Sequence, residues 1–113
     1  MVTPSAGAVV LVPFPFSDLS KSKLRPAVVL AEAGRGDWIL CQITSNPYGD
    51  PLAIPVVDES FSTGSLHIKS YARPGKLFTA NSGLMVAQVS NLKSEPFKQI
   101  IEAVVGILRS SLP

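Results

Sequence analysis

Residues 7–14 read Gly-Ala-Val-Val-Leu-Val-Pro-Phe, and residues 24–30 read Leu-Arg-Pro-Ala-Val-Val-Leu. Both are short apolar runs rich in β-branched residues, the pattern of strands buried on both faces or nearly so. Pro13-Phe14-Pro15-Phe16 ends the first run. Two prolines cannot donate ladder hydrogen bonds, so this piece falls at a strand end or a sheet edge. Between the runs, Ser17 to Leu24 is polar, carries two Ser-Lys steps and reads as a loop.

The same reading extends outward. The second strand covers 26–30, Gly34-Arg35-Gly36-Asp37 turns the chain, and a third strand covers 38–44. Asn46-Pro47-Tyr48-Gly49-Asp50-Pro51 is dense in turn formers. A fourth strand is expected over 52–57, with Pro55 favouring an edge, and 58–65 reads as loop. Further strands are expected over 66–71, 76–80 and 85–89, the last two separated by Asn81-Ser82-Gly83. The period then changes. Phe97, Ile100, Ile101, Val104, Val105 and Leu108 form one apolar helical face. Ser94 is the expected N-cap, and Pro96 falls in the first turn, where its missing N–H costs nothing. The fold expected is mainly β with α: a small, strongly bent β-barrel closed by a C-terminal amphipathic helix.

The chain of 113 residues reads as a single domain, without repeat, linker or composition break. A hydrophobic share of 46% against 16% charged residues excludes a disordered chain. One cysteine, Cys41, excludes an internal disulfide framework and a four-cysteine zinc site. One histidine, His67, excludes an HExxH site and any histidine-rich metal cluster. No apolar run approaches the roughly 20 residues that span a bilayer. The start, Met1-Val2-Thr3-Pro4-Ser5, lacks a basic n-region. A cytoplasmic protein without metal, cofactor or membrane contact is expected.

Net charge is only +2, but its distribution is uneven. Residues 1–60 hold four basic and six acidic side chains (−2), and residues 61–113 hold six and two (+4). No Asp or Glu occurs from Ser60 to Ser94, nor from Leu19 to Ala31. If these two stretches meet in space they create a positive field suited to a polyanion; otherwise they are solvated surface.

In order along the chain, four elements resemble the PemK/MazF family, toxins of bacterial toxin–antitoxin pairs. They are Gly7–Phe14 followed by a polar loop and Leu24–Leu30; Leu40-Cys41-Gln42-Ile43-Thr44-Ser45; Lys76-Leu77-Phe78-Thr79 with Met85-Val86-Ala87-Gln88-Val89; and the terminal helix. The resemblance implies an SH3-like barrel of the CcdB/PemK type and a homodimer. It implies metal-independent, sequence-specific cleavage of single-stranded RNA, leaving 2′,3′-cyclic phosphate and 5′-hydroxyl ends. It also implies a cognate antitoxin, whose disordered tail lies along the RNA site and whose complex with the toxin binds DNA.

The same resemblance puts Arg25, Thr44 and Arg73 in the catalytic set. A guanidinium can grip two phosphate oxygens, but its high pKa suits it to stabilising a dianionic phosphorane rather than acting as a base. The Thr44 hydroxyl can donate to a non-bridging oxygen, and Ser45 offers a second hydroxyl. Phe16 and Ser17 of the first loop would cover a bound strand, with Lys23 beside them. Asn46 offers an amide to a base edge, and Lys76 offers a contact to phosphate. Gly75 departs from the PemK branch, which carries an acidic residue there, two positions after its arginine; Asp18 is a candidate substitute. Two other classes stay open. CcdB-type toxins share the barrel and act on DNA gyrase through the terminal helix, and a degenerate barrel would retain antitoxin binding only.

Overall fold

The computed structural model describes residues 2–14 and 23–113. Seven strands occur: β1 (Ala8–Pro13), β2 (Leu24–Gly34), β3 (Asp37–Thr44), β4 (Ile54–Val56), β5 (Phe61–Gly64), β6 (Ser70–Asn81) and β7 (Ala87–Leu92). One α-helix, α1 (Ser94–Arg109), follows them. The strands form one antiparallel sheet in the order β4-β6-β3-β2-β1-β7-β5.

The edge strands β4 and β5 are sequence neighbours, joined through Val57 and a single 3-10 turn at Asp58–Ser60. That link spans at most about 17 Å. Seven flat strands would be about 29 Å wide. The short link therefore forces the sheet to curl into a half-barrel, the strongly bent sheet expected from the sequence.

The sheet is buried on both faces, as unbroken apolar runs require. Side chains alternate, so Val9, Val28, Cys41 and Ile43 enter one core cluster. Their neighbours Val10, Val12, Ala27, Val29 and Leu40 enter another, together with Phe14. Phe14 meets the edge of Phe78 with ring centroids 4.7 Å apart. Ile100, fully buried, anchors α1 in the first cluster, flanked by Phe97, Ile101 and Val104. Leu108 is 66% exposed, so the predicted apolar stripe outruns the surface that receives it. Among the described residues no helix is long and apolar enough to cross a membrane.

Several boundaries differ from the sequence reading. The helix begins at Ser94, so its cap is Lys93, whose extended backbone accepts the Phe97 N–H at 3.2 Å without a capping side chain. Residues 61–64, expected as loop, pair with β7 as an edge strand. The separate strands expected over 66–71 and 76–80 are in fact one long strand, β6, that begins at Ser70. It tolerates Pro74 because its ladder with β3 jumps from Ile43–Ala72 to Cys41–Leu77. Four residues, Arg73 to Lys76, thus stand against Gln42 alone. A proline costs no ladder bond in such a bulge.

Candidate functional site

The pairing of β2 with β3 ends at Ala27–Gln42. Two residues beyond it, Arg25 on β2 and Thr44 on β3 come side by side at the end of the pairing. A cleft of about 290 Å³ lies there. Leu11, Leu24, Pro26 and Ile43 line it together with Arg25, Thr44, Ser45 and Ser70. Leu66 and Ile68 complete the lining. The two acid-free stretches of sequence meet at this point: the first contributes Leu24, Arg25 and Pro26, the second Leu66, Ile68 and Ser70. Among the described residues no carboxylate pairs with Arg25.

Thr44 is nearly buried, and its Oγ1 accepts the Asn46 N–H at 3.2 Å. That bond occupies a lone pair and leaves the hydroxyl proton to be donated. The Asn46 Oδ1 in turn accepts the Tyr48 N–H at 2.9 Å, which leaves the amide NH₂ as the donor end. Tyr48 itself has φ of 54°, a left-handed conformation that an L-residue rarely adopts outside turns. The turn-rich 46–51 segment is thus folded back on the end of β3.

Arg73 and Lys76 are presented by the β6 bulge. Bulges commonly re-aim side chains beside functional sites. Thr44 pairs directly with Tyr71, and Arg73 is two residues further along β6, on the same sheet face. Arg73 Nε donates to Asp50 Oδ2 at 3.0 Å, and both side chains are largely buried. The Arg73 guanidinium carbon lies 5.6 Å from the centre of the Tyr48 ring. Asp50 Oδ1 accepts the Leu52 N–H at 2.9 Å. That bond, then the bond from Arg73, holds the carboxyl below the usual carboxylate range. Beneath the bulge, the Cys41 thiol donates to the Arg73 carbonyl at 3.2 Å. Burial pushes this thiol up to about 12, outweighing the lowering effect of that hydrogen bond.

Of the residues expected at the site, Arg25, Thr44 and Ser45 share the cleft, with Asn46 bonded to Thr44. Lys23 is exposed next to Leu24 at the mouth. Arg73 stands outside the lining but on the adjoining strand, and Lys76 is exposed on the same bulge. Phe16, Ser17 and Asp18 lie outside the described residues. Position 75 needs no glycine: a Cβ there would meet Ile107 Cδ1 at an ordinary 3.9 Å. The sequence reading missed Asp50, which had registered only as a turn former. It also missed Leu66, Ile68 and Ser70, whose single trace was the absence of acidic residues around them.

The chain belongs to the PemK-like, MazF-like toxins of type II toxin–antitoxin systems, whose family model matches residues 5–108. No curated protein sequence matches it. Solved structures match it over nearly the whole length. An endoribonuclease from Mycobacterial species, solved in complex with its cognate antitoxin, superposes with a TM-score of 0.72 at 12% identity, covering 100% of both chains. MazF in the MazE–MazF complex of Deinococcus radiodurans gives 0.72 at 17% identity, covering 96% of this chain and 97% of that one. A further endoribonuclease from Mycobacterial species gives 0.71 at 14% identity, covering 100% and 98%. At such identities the likeness is one of fold: a curled antiparallel sheet with a C-terminal helix.

Proposed function

We propose that this chain is a metal-independent endoribonuclease. It cleaves single-stranded RNA at the Arg25–Thr44 cleft, works as a homodimer and is neutralised by a cognate antitoxin. The observation that carries this reading is the meeting of Arg25 and Thr44, from adjoining strands, at one cleft where, among the described residues, no carboxylate pairs with Arg25. Family membership and the endoribonucleases among the structural relatives support it.

In the reaction, the ribose 2′-oxygen bonds to phosphorus and the bond from phosphorus to the 5′-oxygen breaks. The 2′-hydroxyl loses a proton and the leaving 5′-oxygen gains one. Negative charge builds on the non-bridging oxygens between these events. Arg25 meets that charge with paired N–H donors, and Thr44 adds a hydroxyl whose oxygen is already fixed by the Asn46 N–H. Donors fixed before the reaction need no reorganisation as the charge develops. Ser45 and Asn46 follow Thr44 directly and would offer hydrogen-bonding groups to a base edge.

The test is incubation of the protein with a long single-stranded RNA in EDTA, alongside Arg25→Ala and Thr44→Val, with mapped ends. Discrete cuts with cyclic phosphate and 5′-hydroxyl ends are expected from the parent protein. Loss of one oxyanion-stabilising donor costs about 10²- to 10³-fold in an acyl-transfer enzyme, and a loss of that order is expected for Arg25→Ala. Full activity in Arg25→Ala would refute the site. Intact RNA after incubation with the folded parent protein would shift the assignment to a non-catalytic toxin or a degenerate barrel.

A further inference from the structure

Arg73 sits at a place where a freely rotating arginine would be of little use to a phosphate. Its side chain is only 18% exposed, and it rises from the bulge beside a second cation, Lys76. Three contacts restrain it. The Asp50 carboxylate takes Nε, the Tyr48 ring packs against one side of the guanidinium, and the Cys41 thiol ties the Arg73 carbonyl to β3. An Nε-directed carboxylate leaves both terminal nitrogens, with four N–H donors, for another acceptor. Among the described residues no other side chain takes them.

Asp50 is itself fixed. Its Oδ1 is held by the Leu52 N–H, which aims Oδ2 at Arg73. The turn that carries Asp50 begins at the Thr44 hydroxyl, through Asn46 and Tyr48. One short segment thus ties the end of β3 at the cleft to the guanidinium on β6.

We propose that Asp50 is a positioning residue: it sets the Arg73 guanidinium so that its terminal nitrogens receive a phosphodiester oxygen of a strand lying across the Arg25–Thr44 cleft. This rests on the nuclease reading above.

The experiment is a double-mutant cycle on the full chain, read in two ways. One readout is kcat and KM for cleavage of a mixed-sequence single-stranded RNA. The other is affinity for a DNA strand of the same sequence, which lacks the 2′-hydroxyl and cannot be cut by this route. The variants are Asp50→Asn, Asp50→Glu, Arg73→Ala and Asp50→Asn with Arg73→Ala. Asparagine keeps an oxygen for the Leu52 N–H and removes only the charge. Glutamate keeps the charge. Asp50→Asn is expected to lower kcat/KM and DNA affinity about tenfold, the effect of one charge-assisted hydrogen bond. Asp50→Glu should recover part of that loss. In the Arg73→Ala background, Asp50→Asn should change neither readout further.

An equal loss in both backgrounds would mean that Asp50 merely supports the turn, and no loss in either would mean that Arg73 needs no orientation. Both results overturn the proposal. If the parent protein leaves RNA intact, the nuclease reading fails, but the cycle in DNA affinity still decides whether Asp50 acts through Arg73. Should Asp50→Asn fail to fold, Asp50→Glu paired with Arg73→Ala carries the same comparison.

Discussion

Adding one methyl group at two different glycines should move stability in opposite directions. At Gly64 the backbone has φ of 71°, in the left-handed region. A Cβ there would press into the Val89 carbonyl and lie 2.8 Å from Ser90 Cα. These are main-chain atoms of β7, so the clash is relieved only by prising β5 away from its partner. The left-handed conformation costs about 1–2 kcal/mol for a residue with a Cβ, and each ladder hydrogen bond given up costs about 1 kcal/mol. A loss of about 3–4 kcal/mol is expected for Gly64→Ala. At Gly106 the added methyl meets nothing within 4 Å beyond the adjoining backbone of its own helix, and the residue lies inside α1. Gly106→Ala should therefore gain about 0.8–1 kcal/mol from helix propensity. Thermal unfolding followed by Trp38, the sole tryptophan, reads both changes. At about 4 °C per kcal/mol, the first variant should melt at least 10 °C lower and the second about 3 °C higher. Gly64→Ala should also weaken nucleic-acid binding, because Leu66 and Ile68 of the cleft follow directly from it. A Gly64→Ala melting point equal to the parent's would refute the argument that the edge strand β5 tolerates glycine alone.

Other expectations follow from the same geometry. Ile100→Ala removes the one fully buried side chain of α1 and should cost about 3–4 kcal/mol in urea unfolding. An effect under about 1 kcal/mol would mean the helix is not held by this contact. Cys41, with its thiol pushed up to about 12, should resist alkylation at pH 8 in the native protein and react promptly in denaturant. Rapid native labelling would show the site to be open. Asp50 has a lowered folded pKa, so its contribution to stability is present above the ordinary carboxylate range near pH 4 and is lost as pH falls through the folded value. The acid limb of stability against pH should be shallower in Asp50→Asn, and identical limbs would disprove the linkage.

Local pattern carried much of this protein. The apolar runs at 8–12 and 26–30, with no polar alternation, already required a sheet covered on both faces, and the two core clusters realise that requirement. The 3.6-residue spacing from Phe97 to Val104 fixed the helix and its buried face for the same reason: those side chains repeat on one side of the chain whatever packs there. Arg25 and Thr44 were singled out by the family resemblance and not by local pattern, and the pairing of β2 with β3 is what sets them side by side.

What local pattern could not supply was decided by partners distant in sequence. Phe61–Gly64 is a strand only because β7 offers its free edge. Residues 70–81 form one strand through Pro74 only because the β3 ladder skips four residues there. Asp50 reads as a turn residue and becomes an ion-pair partner only when the 46–51 segment folds back on Arg73, 23 residues away. Hydrophobic period is a property of each segment taken alone. Register, bulges and the meeting of charges depend on which segments share a surface, and only the folded chain sets that.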